Sequence, residues 1–189
     1  MKDRDVRRAV LNHLAEIHSG DKSTRIVEEM GVWANSVRID IAVINGELSG
    51  FELKSDSDTL QRLPMQADIY SRVFDEMTLV VGSRYAEKAT SIVPNWWRII
   101  QAVEAGNAIA LEVVRGGVRN PNPEPYLVAE LLWKDEALAV LEEFALAKGW
   151  RGKRIKEIHE RLAYELPFSV LSDRVRESLK AREGWLGKH

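Results

Sequence analysis

The chain has 189 residues, 45% hydrophobic and 30% charged, a balance that suits one medium globular domain, or one domain with a small appendage, around a real core. The absence of cysteine excludes disulfides and thiolate metal sites. No apolar run approaches a membrane span, and the charged start Met1-Lys2-Asp3-Arg4-Asp5 leads into no signal core, so a cytoplasmic protein with no membrane partner is expected.

The formal net charge of −2 does not advertise a nucleic-acid partner, but its distribution says more. Lys148 to His189 carries 11 Lys/Arg against 6 Asp/Glu, whereas the rest holds 16 against 23. A basic tail region on an acidic body is a modest hint of a polyanionic partner.

In chain order, residues 3 to 18 read as an amphipathic helix, with Asp3 able to cap it and Val6, Val10, Leu14 and Ile17 at helical spacing. Ser19 to Ser23 is loop, and Thr24 to Val32 is compatible with helix or strand. Val37 to Ile44 and Glu47 to Lys54 flank Asn45-Gly46, a strong hairpin signal. Asp58 to Phe74 reads as a helix with Pro64 near its first turn. Met77 to Val81 reads as a buried strand ending at Gly82, Tyr85 to Ile92 as a helix, and Trp97 to Ile100 and Ile109 to Val114 as short strands. This order predicts an α/β protein with a small mixed sheet flanked by helices. The first domain then covers residues 1–115. Residues 116–130, rich in Pro and Gly, read as a linker or ordered loop, and 131–189 as a helical subdomain.

The hairpin constrains its own register. Alternation puts Ile39, Ile41 and Val43 on one face of the first strand and Asp40 on the other. In the second strand Phe51 and Leu53 share a face opposite Glu52 and Lys54. A two-residue loop at Asn45-Gly46 would set Asp40 beside Phe51 and Glu52 beside Ile39, burying charge against hydrocarbon. A one-residue offset repairs this, either through a three-residue loop with Gly46 left-handed or through a bulge at Gly50. Asp40, Glu52 and Lys54 then share one polar face. Two carboxylates there could supply oxygen ligands to Mg²⁺ or Mn²⁺, and Lys54 could orient a water or stabilise an oxyanion. On residue type alone, a solvated polar face with an incidental Glu-x-Lys pair is the plainer alternative.

Asp40, eleven intervening residues and Glu52-Leu53-Lys54 on a hairpin resemble the signature of the PD-(D/E)XK nuclease superfamily. Ile39 stands where the family name has Pro. Glu28-Glu29 fall where the family places an upstream acid, and Gln66-Ala67-Asp68-Ile69-Tyr70 matches the Gln-x-x-x-Tyr of the following helix. The run from Arg38 to Tyr70 resembles a small bacterial and phage family within that superfamily. The resemblance covers roughly residues 1 to 115, and more loosely the helical tail. It implies a restriction-endonuclease-like sandwich and a metal-dependent nuclease acting on DNA through a metal-activated water. Asp40, Glu52 and the Leu53 carbonyl would bind Mg²⁺ or Mn²⁺. Lys54 would assist the water, Glu29 (or Glu28) would supply an outer carboxylate, and Gln66 and Tyr70 would position Lys54 or a phosphate. Arg62, Gln66 and Tyr70 form one helical stripe, and Arg62 could meet nucleic acid. The alternative is a non-catalytic nucleic-acid or protein interaction module on the same fold.

In the tail, Lys134 to Ala147 reads as a helix stopped at Lys148-Gly149. Trp150-Arg151-Gly152-Lys153-Arg154 then leads into a helix from Ile155 to Leu166. The helix, basic turn and helix resemble a SAP-type DNA-binding hairpin, with Arg151, Lys153 and Arg154 as DNA contacts; a plain hairpin packed on the body is the alternative. His13, His18, His159 and His189 show no ligand spacing, so zinc is not expected. Trp96-Trp97 reads as core or interface rather than a base-stacking platform, and a homodimer is admitted by this reading.

Overall fold

The structure, a computed structural model, describes residues 1–106 and 108–184. Its centre is a six-stranded mixed sheet in the order β1 (Arg25–Val32), β2 (Val37–Ile44), β3 (Leu48–Lys54), β4 (Glu76–Gly82), β5 (Arg98–Ala105) and β6 (Ala108–Arg115). Only the β3–β4 and β4–β5 pairs are parallel. Each parallel crossover needs a covering segment. Helix α2 (Leu63–Tyr70) supplies the first, and a 3-10 turn at Ser83–Tyr85 with α3 (Ala86–Thr90) supplies the second.

Two apolar clusters, one on each face, make the layers. Helix α1 (Asp3–Ile17) buries Val6, Val10 and Leu14 against Ile41, Val43, Leu53, Val80, Ile100 and Ala102. The larger cluster joins the other face to α2 and to four helices after the sheet: α4 (Pro125–Ala129), α5 (Lys134–Glu143), α6 (Ile155–Glu165) and α7 (Phe168–Ala181). The expected mixed sheet flanked by helices is therefore present, and Thr24 to Val32 resolves to strand. Lys2, not Asp3, occupies the cap position of α1, and Asp3 is its first helical residue.

The C-terminal helices share the sheet's core instead of building one of their own. Leu127, Leu141, Ile158, Leu162, Leu171 and Val175 all belong to the larger cluster. The 116–130 stretch is ordered. Asn120 is buried, its amide donates to the Ser71 and Phe74 carbonyls at 2.7 and 2.8 Å, and its N–H meets the Asp75 carbonyl at 2.8 Å. Asp75 in turn takes the Leu48 N–H at 2.8 Å and Arg176 of α7 at 2.9 Å, tying the last helix to the start of β3. Trp97 is fully buried, with its indole N–H on the Ser71 hydroxyl at 3.1 Å, so the core reading of that tryptophan holds.

Helices α2 and α5, like α3, are shorter than expected. The Asp58 carboxylate accepts the Ser55 N–H and hydroxyl at 2.8 and 2.6 Å, a local turn that competes with helix, and α2 begins only at Leu63. Helix α5 stops at Glu143, before Gly149. Ala145 adopts φ 58°, and Leu146 N–H returns to the Leu141 carbonyl at 2.7 Å, closing a Schellman-type end without glycine.

Candidate active site where β2 leaves β3

The hairpin has the offset register. Ile44 pairs with Leu48, Val43 with Ser49, Ala42 with Gly50 and Ile41 with Phe51, so a three-residue loop, Asn45-Gly46-Glu47, joins the strands. The Asn45 side chain accepts the Glu47 N–H at 3.0 Å, and Gly46 does not take a left-handed conformation. Extending the register places Asp40 opposite Glu52, not Phe51. Gly50 leaves room for the side chains beneath it, since a Cβ there would lie 2.5 Å from Met77 Sδ and 3.1 Å from the Phe74 ring.

The β2–β3 ladder ends at Ile41↔Phe51, whereas β3 stays paired to β4 through Lys54↔Val81. The side of β3 that faces β2 is thus freed over Glu52 to Lys54. Asp40 fills the gap: its Oδ2 accepts the Leu53 N–H at 2.7 Å. Because N–H and C=O of one strand residue point to the same side, the Leu53 carbonyl opens to this gap as well. Ile39 departs from the expected alternation and packs in the larger cluster, while Ile41 and Val43 pack under α1. The irregularity extends to β1, where Glu29, opposite Asp40 between Glu28↔Ile41 and Met30↔Ile39, has φ 53°.

Seven of the expected residues converge on one cavity of about 640 Å³. Asp40, Glu52, Leu53, Lys54, Glu29, Arg62 and Gln66 line it, together with Asp3, Arg7, Asn35, Ser36, Val37, Arg38, Asp58 and Met65. Glu52 is only 1% exposed, and its Oε1 is ion-paired with the buried Lys54 amine. Its Oε2 is buried without a hydrogen-bond partner, as is the Gln66 Oε1. Burial, reinforced by the Asp40 charge, pushes the Glu52 carboxyl up to about 7, with Lys54 and the Gln66 amide acting in the opposite direction. Burial also raises the Asp40 pKa, against the pull of the Leu53 N–H, Arg7 and Lys54.

Sequence reasoning missed Arg7. Its Nη2 lies 2.6 Å from Asp40 Oδ1 and 3.0 Å from Glu29 Oε1, and its Nη1 donates to the Asp40 carbonyl at 3.1 Å. Burial opposes its charge, but Asp40, Asp3 and Glu29 outweigh that and raise its pKa. The available signal was Asp3 and Arg7 at i, i+4 beside the buried stripe of α1.

The other expected residues lie outside the cavity. Tyr70 is fully buried and does not itself line the cavity, but Glu52 and Gln66 both act on its hydroxyl, whose pKa burial raises. Its hydroxyl donates to the Arg38 carbonyl at 2.7 Å, tying α2 to the part of β2 that has left β3. Glu28 does not line the cavity either and meets Arg7 only at 3.7 Å. Arg151, Lys153 and Arg154 lie between α5 and α6, and none lines the cavity. Arg151 pairs with Glu142 at 2.7 Å and Lys153 with Glu157 at 3.2 Å. Much of the tail's basic excess is taken up similarly: Arg174 by Glu143, Arg176 by Asp75 and Asp173, Arg182 by Glu136.

The donor set fits a hard cation only in part. Among the described residues, no group of three or more His, Cys, Asp or Glu side chains is arranged to hold a metal. Asp40, Glu52 and the Leu53 carbonyl offer oxygen donors, and the orphaned Oε2 of Glu52 wants a cation or donor. This suits Mg²⁺ or Mn²⁺, which keep several waters. His159 is buried with Nε2 on the Leu132 carbonyl at 3.1 Å, and His189 lies outside the described residues. A second groove of about 650 Å³, between α1 and β6, contains none of the buried polar atoms that lack partners. No helix among the described residues is long and apolar enough to cross a membrane.

Comparison with known proteins places the chain. A solved protein of unknown function from Silicibacter pomeroyi is 19% identical with TM-score 0.48, over 82% of this chain and 98% of that one. Protein cII of Enterobacteria phage P4 is 25% identical over 157 residues, 83% of this chain and 59% of that protein, so the chain spans about three fifths of this relative's length. The family model described as bacteriophage P4 protein cII matches residues 1–184, and the chain therefore belongs to that family.

Proposed function

We propose that this protein is a metal-dependent nuclease of the PD-(D/E)XK type, hydrolysing phosphodiester bonds of DNA on a restriction-endonuclease-like sandwich. The observation that carries the reading is the gap where β2 leaves β3: Asp40, Glu52, Leu53 and Lys54 line one cavity there, and the buried Glu52 keeps an unpartnered oxygen. A carboxylate buried at a cost, against a second carboxylate, is more readily understood as a cation ligand than as a stabilising element.

Asp40, Glu52 and the Leu53 carbonyl would hold Mg²⁺ or Mn²⁺. When bound, the ion supplies neutralisation of charge at phosphorus and a more acidic water. The chain's own groups supply the rest. Lys54, held against Glu52 with little freedom, presents a fixed positive charge where an oxyanion develops. The Leu53 N–H fixes the Asp40 carboxylate. Gln66 approaches Glu52 from α2, and Arg62 stands at the cavity rim for a phosphate.

One observation favours a second reading, a non-catalytic nucleic-acid or protein interaction module. Arg7 and Lys54 already neutralise Asp40 and Glu52, leaving a site that is charge-paired without metal.

Titration with Mg²⁺ and Mn²⁺, followed both for binding and for cleavage of single- and double-stranded DNA, separates the two. The nuclease reading requires metal binding that Asp40→Asn abolishes and cleavage that depends on it. Binding of DNA with neither metal uptake nor cleavage supports the module.

A further inference from the structure

Asp40 is approached from two sides by groups of different character. The Leu53 N–H stands on the Oδ2 side, and Glu52 of β3 lines the same cavity. On the Oδ1 side the Arg7 guanidinium lies between Asp40 and Glu29, at 2.6 and 3.0 Å, with Glu28 further off at 3.7 Å. Asp40 and Glu29 are opposite each other on neighbouring strands. Two-metal phosphodiesterase sites hold cations about 4 Å apart around shared carboxylate oxygens. Here the second such position, bracketed by Asp40 and Glu29, is filled by a side chain of this protein.

We propose that the Arg7 guanidinium takes the place of a second divalent cation between Asp40 and Glu29, so that the site holds one metal, on the Glu52 side of Asp40. The proposal rests on the metal-dependent reading above. A guanidinium is charged at every accessible pH, so it cannot vacate the position by losing a proton. Its helix is anchored by Val6, Val10 and Leu14 packed on the sheet, so α1 cannot slide inward to close a hole left by truncation. Asp40 remains free to serve the metal, because each carboxylate oxygen has a second lone pair beyond those given to Arg7 and Leu53. The orphaned Glu52 Oε2 leaves a lone pair for a ligand beside Glu52. Arg7 therefore acts as a positioning residue that fixes both the rotamer of Asp40 and the metal count.

Counting bound Mn²⁺ on the full-length chain, by calorimetry and by the paramagnetic resonance of free ion, tests this. The parent binds one Mn²⁺. Arg7→Ala and Arg7→Met bind two, the second more weakly. Arg7→Lys stays at one, and adding Glu29→Gln to Arg7→Ala returns the count to one. A parent that binds two ions, or an Arg7→Ala or Arg7→Met protein that still binds one, overturns the proposal. A parent that binds no Mn²⁺ overturns the metal-dependent reading and this proposal with it, whereas a count of one in both parent and Arg7 variants overturns this proposal alone.

Discussion

Asp40 Oδ2 accepts the Leu53 N–H at 2.7 Å, a side chain of β2 taking a hydrogen bond of β3 where the ladder between them has ended. That single bond lets the strands part without an orphaned amide, and it fixes a carboxylate beside Glu52 and Lys54. The cavity, the buried ion pair and the chemistry proposed for them all follow from the parting.

The first prediction concerns pH. Folded Glu52 holds its proton up to about pH 7, while the unfolded group releases it near 4.5. The native state therefore binds more protons than the unfolded state across that window, and stability falls as pH rises through it, by up to about 3 kcal/mol. The double variant Glu52→Gln, Lys54→Met replaces the buried pair with neutral groups of similar size. It should be at least as stable as the parent at pH 8, with a flatter profile between pH 4.5 and 7. Denaturant unfolding at several pH values, without metal, checks this; a double variant several kcal/mol less stable would mark the pair as structural.

Tyr70→Phe removes the hydroxyl that donates to the Arg38 carbonyl and interacts with Glu52 and Gln66, while leaving every cavity-lining residue in place. The expected cost is about 1–2 kcal/mol of stability from an unsatisfied buried carbonyl. Metal affinity should stay within about threefold. A large loss of metal binding with unchanged stability would restore the positioning role that the Gln-x-x-x-Tyr spacing suggested.

Truncation after residue 130 should abolish cooperative folding instead of releasing an independent nuclease domain. The deleted helices supply Leu141, Ile158, Leu162, Leu171 and Val175 to the core beneath the sheet, and Arg176 to the buried Asp75. The milder Arg176→Met should cost about 3–5 kcal/mol, because it leaves Asp75 buried without that partner. Thermal unfolding followed by circular dichroism measures both; a sharp parent-like transition in the truncated chain would contradict the shared core.

Much of this was legible in the sequence. Burial of Ile41 and Leu53 together forced the offset register, and the structure has it, because a one-residue slip would set Asp40 beside Phe51 and Glu52 beside Ile39. Glu52, Lys54 and Asp40 were found by the same argument. The burial of Glu52 and Lys54 was not, since alternation assigns a face but not what covers it, and here α2 does so with Gln66. Arg7 was hidden because it reaches Asp40 across 33 positions from another layer. The pairing of the basic tail was hidden for a related reason: a count of Arg and Lys does not reveal that Arg174, Arg176 and Arg182 each face a carboxylate from elsewhere in the fold.

The central claim is that the parting of β2 and β3 forms a metal-dependent phosphodiesterase site, and Lys54→Met tests it most directly. Lysine is not a Mg²⁺ or Mn²⁺ ligand, so its loss should spare the ion. Losing one fixed charge at the transition state costs on the order of 100-fold in rate. The measurement is DNA cleavage by parent and variant with Mn²⁺, alongside Mn²⁺ affinity in the same samples. The account predicts metal-dependent cleavage by the parent, and a variant slower by about 100-fold or more with affinity changed by less than about fivefold. No cleavage by the parent under any metal, or a Lys54→Met protein that cleaves as fast as the parent, would contradict it.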